Sequence, residues 1–112
     1  MKPEISIDSL LNLDVRVGTI TEAKLFEKAL KPAIQLWIDF GELGLKQSSA
    51  QITKRYAPAE LIGRQVVAIV NFPAKRIAGF RSECLVLGAI NETGDVVLLR
   101  PDENIPNGCP IA

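Results

Sequence analysis

Ile34-Gln35-Leu36-Trp37-Ile38-Asp39-Phe40 alternates apolar and polar side chains almost without fault, and its apolar members are the branched and aromatic types that suit a pleated, half-buried surface. A period of two places Ile34, Leu36, Ile38 and Phe40 on the core face of a strand. Trp37 then stands on the opposite face among polar neighbours. An indole there either packs under a loop or terminus or offers a contact surface to a partner.

Upstream, Val15, Val17, Thr19 and Thr21 alternate with Arg16, Gly18, Ile20 and Glu22, which predicts a strand from Asp14, bent at Gly18. Ile5 to Leu13 reads as a short amphipathic helix capped by Ser6 or Asp8, with Ile5, Leu10, Leu11 and Leu13 supplying apolar contacts. Glu22 to Pro32 is a charged connection. Downstream, Gly41 to Gly44 is a turn, Leu45 to Ile52 a third extended segment, and Thr53 to Leu61 a loop with a helical turn interrupted by Pro58 and closed by Gly63. Val66 to Val70 and Cys84 to Ile90 are apolar strands, and Asn91 to Asp95 turns the chain into Val96 to Arg100. Pro101, Pro106 and Pro110 make the tail to Ala112 an irregular strap.

Five or six short strands, one small helical turn inserted midway and no strand-helix alternation argue for a closed all-β barrel. In a chain of 112 residues the expected version is the five-stranded OB-fold, filling one domain over 1–112, with a short N-terminal helix and a C-terminal strap. The fold binds extended ligands on an open face and its flanking loops.

A composition of 47% hydrophobic and 23% charged residues is that of a soluble core. No run approaches the roughly 18 apolar residues of a membrane span, and Met1-Lys2-Pro3-Glu4-Ile5-Ser6 lacks a long apolar leader, so a cytoplasmic location without membrane insertion is expected. There is no histidine, which removes Ser-His and Cys-His nucleophile pairs and imidazole metal ligands; Cys84 and Cys109 alone complete no tetrahedral site. Gly41-Glu42-Leu43-Gly44 lacks the Lys-Ser/Thr ending of a phosphate loop. No enzyme activity, cofactor or metal is expected, and Cys84, within an apolar run, reads as a buried inert thiol.

Charge is unevenly placed in this formally neutral chain. Between Lys46 and Ser82 stand seven bases, Lys46, Lys54, Arg55, Arg64, Lys75, Arg76 and Arg81, against Glu60 alone, a net of +6 that leaves −6 for the remainder. The same segment holds the polar run from Gln47 to Thr53 and the run from Asn71 to Ser82. Asn71 has donor and acceptor, Ser48, Ser49 and Ser82 can donate to phosphate oxygens or peptide carbonyls, and Lys75, Arg76 and Arg81 bring charge. Phe72 and Phe80 either stack on bases, line an apolar peptide pocket or belong to the core. Asn71 and Ser82 either meet a ligand or tie their loop together.

Asp14-Val15-Arg16-Val17-Gly18-Thr19-Ile20, then Lys46-Gln47-Ser48-Ser49-Ala50-Gln51-Ile52-Thr53, then the run from Asn71 to Glu83, resemble the stand-alone tRNA-binding-domain family, and within it the export-related chaperones of CsaA type. The likeness continues through Val96 to Asp102 and Pro106-Asn107-Gly108, nearly the whole chain. It implies a non-catalytic homodimer of OB-fold barrels that binds unfolded or pre-secretory polypeptides, and leaves open whether the translocation machinery is a partner. The wider family binds tRNA by shape, with an asparagine, a base and a serine that match Asn71, Arg76 and Ser82, while Ser49 falls in the family's polar strand. The chain departs from tRNA binders at Ala78, where many carry a base, and at Leu85, where methionine is common.

Two functions follow as expectations. One is chaperone-like binding of polypeptides in an apolar groove with basic walls; the other is recognition of tRNA backbone and shape by the Lys46 to Ser82 segment. For either ligand the candidate contacts are Ser48, Ser49, Gln51, Lys54, Arg55, Asn71, Phe72, Lys75, Arg76, Phe80, Arg81 and Ser82, with Trp37 as an interface or pocket residue.

Overall fold

The computed structural model describes residues 1–112. The alternating stretch forms β2 (Ile34–Asp39), which runs antiparallel between β1 (Val15–Leu25) and β3 (Leu45–Ala50). Ile34, Leu36, Ile38 and Phe40 are all 0% exposed and form the middle of a core completed by residues such as Ile20, Val66, Ala68 and Leu98. Each of the valine, leucine, isoleucine and phenylalanine side chains among them contributes roughly 1.5–3 kcal/mol through removal of its apolar surface from water.

Helix α1 is Asp8–Leu11, helix α2 is Pro58–Leu61, and β4 is Gln65–Ile69. After β4 come β5 (Lys75–Ile77), β6 (Phe80–Ser82), β7 (Leu85–Val86), β8 (Gly88–Ile90) and β9 (Val96–Leu98). The main sheet has the order β3-β2-β1-β4-β7, with β5-β6 and β8-β9 as separate hairpins. Its two ends approach each other: the Glu83 N–H donates to the Gln47 carbonyl at 2.8 Å, and the Ser48 hydroxyl donates to the Cys84 carbonyl at 2.8 Å. The result is a nearly closed antiparallel barrel, an OB-fold.

Several local expectations change on contact with the fold. The N-terminal helix shrinks to four residues, none of them buried; Ile7 at its start offers no capping side chain, while the Ser6 hydroxyl accepts from the Asp8 N–H at 3.2 Å. A single unpacked turn does not offset the cost of nucleation, so the helix does not extend. Pro58 begins α2 instead of interrupting it, since the first helical position needs no N–H donor. Glu60 accepts from the Ala57 N–H at 2.7 Å, and Leu61 enters the core. The irregularity in β1 falls between Ile20 and Glu22, away from Gly18. Gly18 serves clearance: a Cβ there would lie 2.6 Å from Ile38 Cγ2 and 2.8 Å from the Phe40 ring. The expected strand from Cys84 to Ile90 is two short strands, β7 and β8, parted at Leu87.

The tail is ordered by β1. Because β2 pairs with β1 only from Thr19 onward, the edge at Val15–Val17 is left to the strap. Gly108 and Ile111 donate to the carbonyls of Val17 and Val15, and Val17 donates to Cys109. Arg16 Nη1 adds a bond to the Gly108 carbonyl at 2.9 Å. No helix is long and apolar enough to cross a membrane.

Candidate functional site

The run from Asn71 to Ser82, expected as a loop, folds into the β5–β6 hairpin. Ala78 (φ 47°) and Gly79 (φ 83°) both occupy the left-handed region, the geometry of a two-residue turn that follows the right-handed twist of its strands. Alanine is an uncommon choice there, and this is why the turn is inconspicuous in the sequence. Register partners are Lys75 with Ser82, Arg76 with Arg81 and Ile77 with Phe80.

Lys75, Ile77 and Ser82 line one side of a groove of about 700 Å³. Ile52, Cys84 and Leu98 reach it from the barrel core, and Val96 and Ile90 reach it from the β8–β9 hairpin. Eleven of the nineteen lining residues are hydrophobic, so the lining is mainly apolar. At its rim Phe72 is 46% exposed, Leu85 49% and Ile90 75%, a cluster of large wet apolar side chains around one concavity. β5 is paired on one edge only, which leaves backbone donors and acceptors at its other edge, whereas the unpaired edge of β9 is partly taken, the Leu98 N–H donating to the Tyr56 hydroxyl at 3.0 Å.

The basic residues do not wall this groove as expected. Lys75 alone among them lines it. Arg55 is held by Asp95 through two bonds, Nε to Oδ1 at 3.1 Å and Nη2 to Oδ2 at 2.5 Å. That hydrogen bonding lowers the Asp95 carboxyl below its ordinary range and raises Arg55. Lys54 Nζ donates to the Thr93 carbonyl at 2.5 Å, so both residues pin the β8–β9 turn. Arg64 lies over the Tyr56 ring, 5.1 Å from its centroid. Arg76 and Arg81 are exposed on the hairpin's other face; Arg81 meets Glu83 at 3.6 Å, while Arg76 joins no ion pair. Like charges directly opposite across strands cost roughly 0.2–1 kcal/mol.

The polar candidates divide in the same way. Ser48 is 1% exposed and its hydroxyl closes the barrel, so it stands below the surface. The Asn71 amide is engaged at both ends, accepting from the Asp14 N–H at 2.8 Å and donating to the Asn12 carbonyl at 2.9 Å. Ser82 Oγ accepts from the Ser49 N–H at 3.1 Å and keeps its proton available to the groove. Ser49 and Gln51 line the groove mouth.

Phe80 and Phe72 do not share a pocket. Phe80 stacks edge-on against Phe26 at 5.4 Å and Trp37 at 5.9 Å, over a separate hollow of about 380 Å³. Trp37 is therefore the seat of the hairpin: its Nε1 donates to Gln47 Oε1 at 3.1 Å, and Gln47 Nε2 donates to the Arg81 carbonyl at 2.9 Å. The contacts that sequence reasoning missed are Leu85 and Ile90, both in the apolar run after Cys84 whose exposed phase is hidden without a fold. Cys84 forms part of the floor, and burial pushes its thiol up to about 11, leaving it a poor nucleophile at neutral pH.

The barrel has counterparts among known proteins. The chain superposes on the crystal structure of the chaperone CsaA of Bacillus anthracis str. Ames with a TM-score of 0.94 and 60% identity, covering 98% of this chain and 100% of that one. For the CsaA chaperone protein of Picrophilus torridus the values are 0.90 and 50%, over 97% and 100%. It is also 43% identical over 110 residues to a methionine–tRNA ligase of Methanothrix thermoacetophila, spanning 98% of this chain but only 16% of that protein's length. The family model described as "Putative tRNA binding domain" matches residues 15–110. On that match, over a barrel with the family's fold, the chain belongs to the tRNA-binding-domain family.

Proposed function

We propose that this chain is a non-catalytic polypeptide-binding protein of the chaperone type, which holds extended, unfolded segments in the groove between the β5–β6 and β8–β9 hairpins. The observation that carries the reading is the ring of exposed apolar residues, Phe72, Leu85 and Ile90, around a concavity with an apolar floor. Burying those side chains against a client's apolar residues supplies affinity, and the unpaired edge of β5 offers main-chain partners to an extended chain. The likeness to CsaA chaperones supports a chaperone role, and pre-secretory polypeptides in the cytoplasm are the client class we propose, on the resemblance of the sequence motifs to export-related chaperones. Ile5, Ile7 and Leu11, at 79%, 66% and 70% exposure, give a second barrel an apolar surface to cover, and a homodimer is the assembly proposed.

The test is suppression of aggregation of a thermally unfolded client, followed by light scattering at low and high salt. Apolar burial is not screened by ions, so protection persists in high salt. Complete loss of protection at moderate salt would remove the groove from the account.

A second reading, recognition of tRNA backbone, is favoured by one observation: Arg76 and Arg81 stand opposite each other across the hairpin, and only Arg81 meets an acid, Glu83 at 3.6 Å. Phosphate is the natural bridge for two such guanidinium groups.

A further inference from the structure

The β5–β6 hairpin carries two chemistries back to back. Lys75, Ile77 and Ser82 line the groove, whereas Arg76 and Arg81 do not. Successive side chains of a strand stand on opposite faces, so the arginine pair projects from the outer face of the same three-residue strands. The thickness of a sheet with its side chains, on the order of 10 Å, separates the two surfaces. Neither arginine contributes to the groove, and neither Phe72 nor Ile77 belongs to the outer face.

We infer that the two faces are independent sites, so that a phosphodiester chain on Arg76 and Arg81 and an extended polypeptide in the groove are bound at the same time. The inference rests on the groove reading above and adds that the two ligands do not compete. The outer pair suits a phosphodiester better than a carboxylate partner. Two facing planar forks, one of them without any acid, match oxygens repeated along a backbone, and each fork can bind a phosphate in bidentate fashion. The hairpin is held from below by Phe80 on Trp37 and Phe26, so occupancy of one face does not require the other to move.

The experiment measures binding of a fluorescent, permanently unfolded carboxymethylated polypeptide to the full chain by anisotropy, with and without saturating tRNA at fixed salt. Because coupling between sites is reciprocal, independence predicts that tRNA alters the polypeptide Kd by less than about twofold, and the polypeptide alters the tRNA Kd equally little. Arg76→Gln/Arg81→Gln should weaken tRNA binding and flatten its salt slope by about 1.5 in log-log units while leaving the polypeptide Kd unchanged. Phe72→Ala should do the reverse. Displacement of the polypeptide by tRNA, or failure of the wild-type chain to bind tRNA, overturns the inference and leaves the groove reading standing. Failure to bind polypeptide in the absence of tRNA overturns the groove reading itself and the inference with it.

Discussion

The Ser48 hydroxyl donates to the Cys84 carbonyl at 2.8 Å across the seam where β3 meets the segment entering β7, a bond between residues 36 apart in the chain. Only one strand-type backbone bond, Glu83 to Gln47, stands beside it, so a side chain completes the barrel wall. Ser48→Ala leaves a buried carbonyl without its donor and should lower stability by about 1–3 kcal/mol, read as a lower urea midpoint with an unchanged m-value. A midpoint equal to the parent's would mean that the seam holds without the hydroxyl.

Gly18 tests the packing under β2. Its hydrogen faces Ile38 Cγ2 and the Phe40 ring at distances no Cβ tolerates. Gly18→Ala should therefore destabilise by roughly 1–3 kcal/mol through overpacking, despite alanine's better backbone entropy. Thermal unfolding would show a higher midpoint instead if the glycine served only as a flexible bend.

Phe72 and Phe80 should separate activity from stability. Phe72→Ala, at a half-exposed groove rim, should reduce client protection while shifting stability by no more than about 0.5 kcal/mol. Phe80→Ala removes the ring seated on Trp37 and Phe26 and should cost about 2 kcal/mol, with any loss of protection tracking the unfolded fraction. Protection assays run beside thermal melts distinguish the two.

The Arg55–Asp95 pair sets a pH dependence for the β8–β9 turn. Asp95 has its folded-state pKa below the ordinary value of 3.8, chiefly through the hydrogen bond to Arg55. A depressed carboxyl stabilises the fold above the unfolded-state pKa, and that contribution fades as pH falls through the folded-state value. Amide exchange of Asn91 and Gly94, both bonded within the turn, should accelerate at acid pH relative to core amides after correction for intrinsic rates. Asp95→Asn should show the faster exchange at neutral pH already; unchanged exchange would release the pair from this role.

Sedimentation checks the assembly. The dilute protein should run at twice the chain mass of 12.2 kDa, and Ile7→Asp/Leu11→Asp should shift it toward a single chain, since both side chains are exposed in the isolated barrel. A wild-type chain that sediments as a monomer at micromolar concentration would remove the dimer.

The residues from Ile34 to Phe40 determined their own strand and its buried face, because a period of two is local and survives without knowledge of any partner. The turns at Gly41 to Gly44 and Asn91 to Asp95 were legible for the same reason: the backbone bonds that close them, Phe40 to Gly44 and Asn91 to Asp95, join near neighbours in the chain. The order of the motifs likewise carried the family, which the match over residues 15–110 bears out. Tertiary structure decided what each polar or aromatic candidate does. Asn71 finds its partners 57 and 59 residues away, Ser48 at 36 and Ser82 at 33, so their donors and acceptors are taken by contacts that no local pattern encodes. The alternation that divides Arg76 and Arg81 from Lys75 and Ile77 is present in the sequence, but which face meets the groove follows from where the barrel places the hairpin.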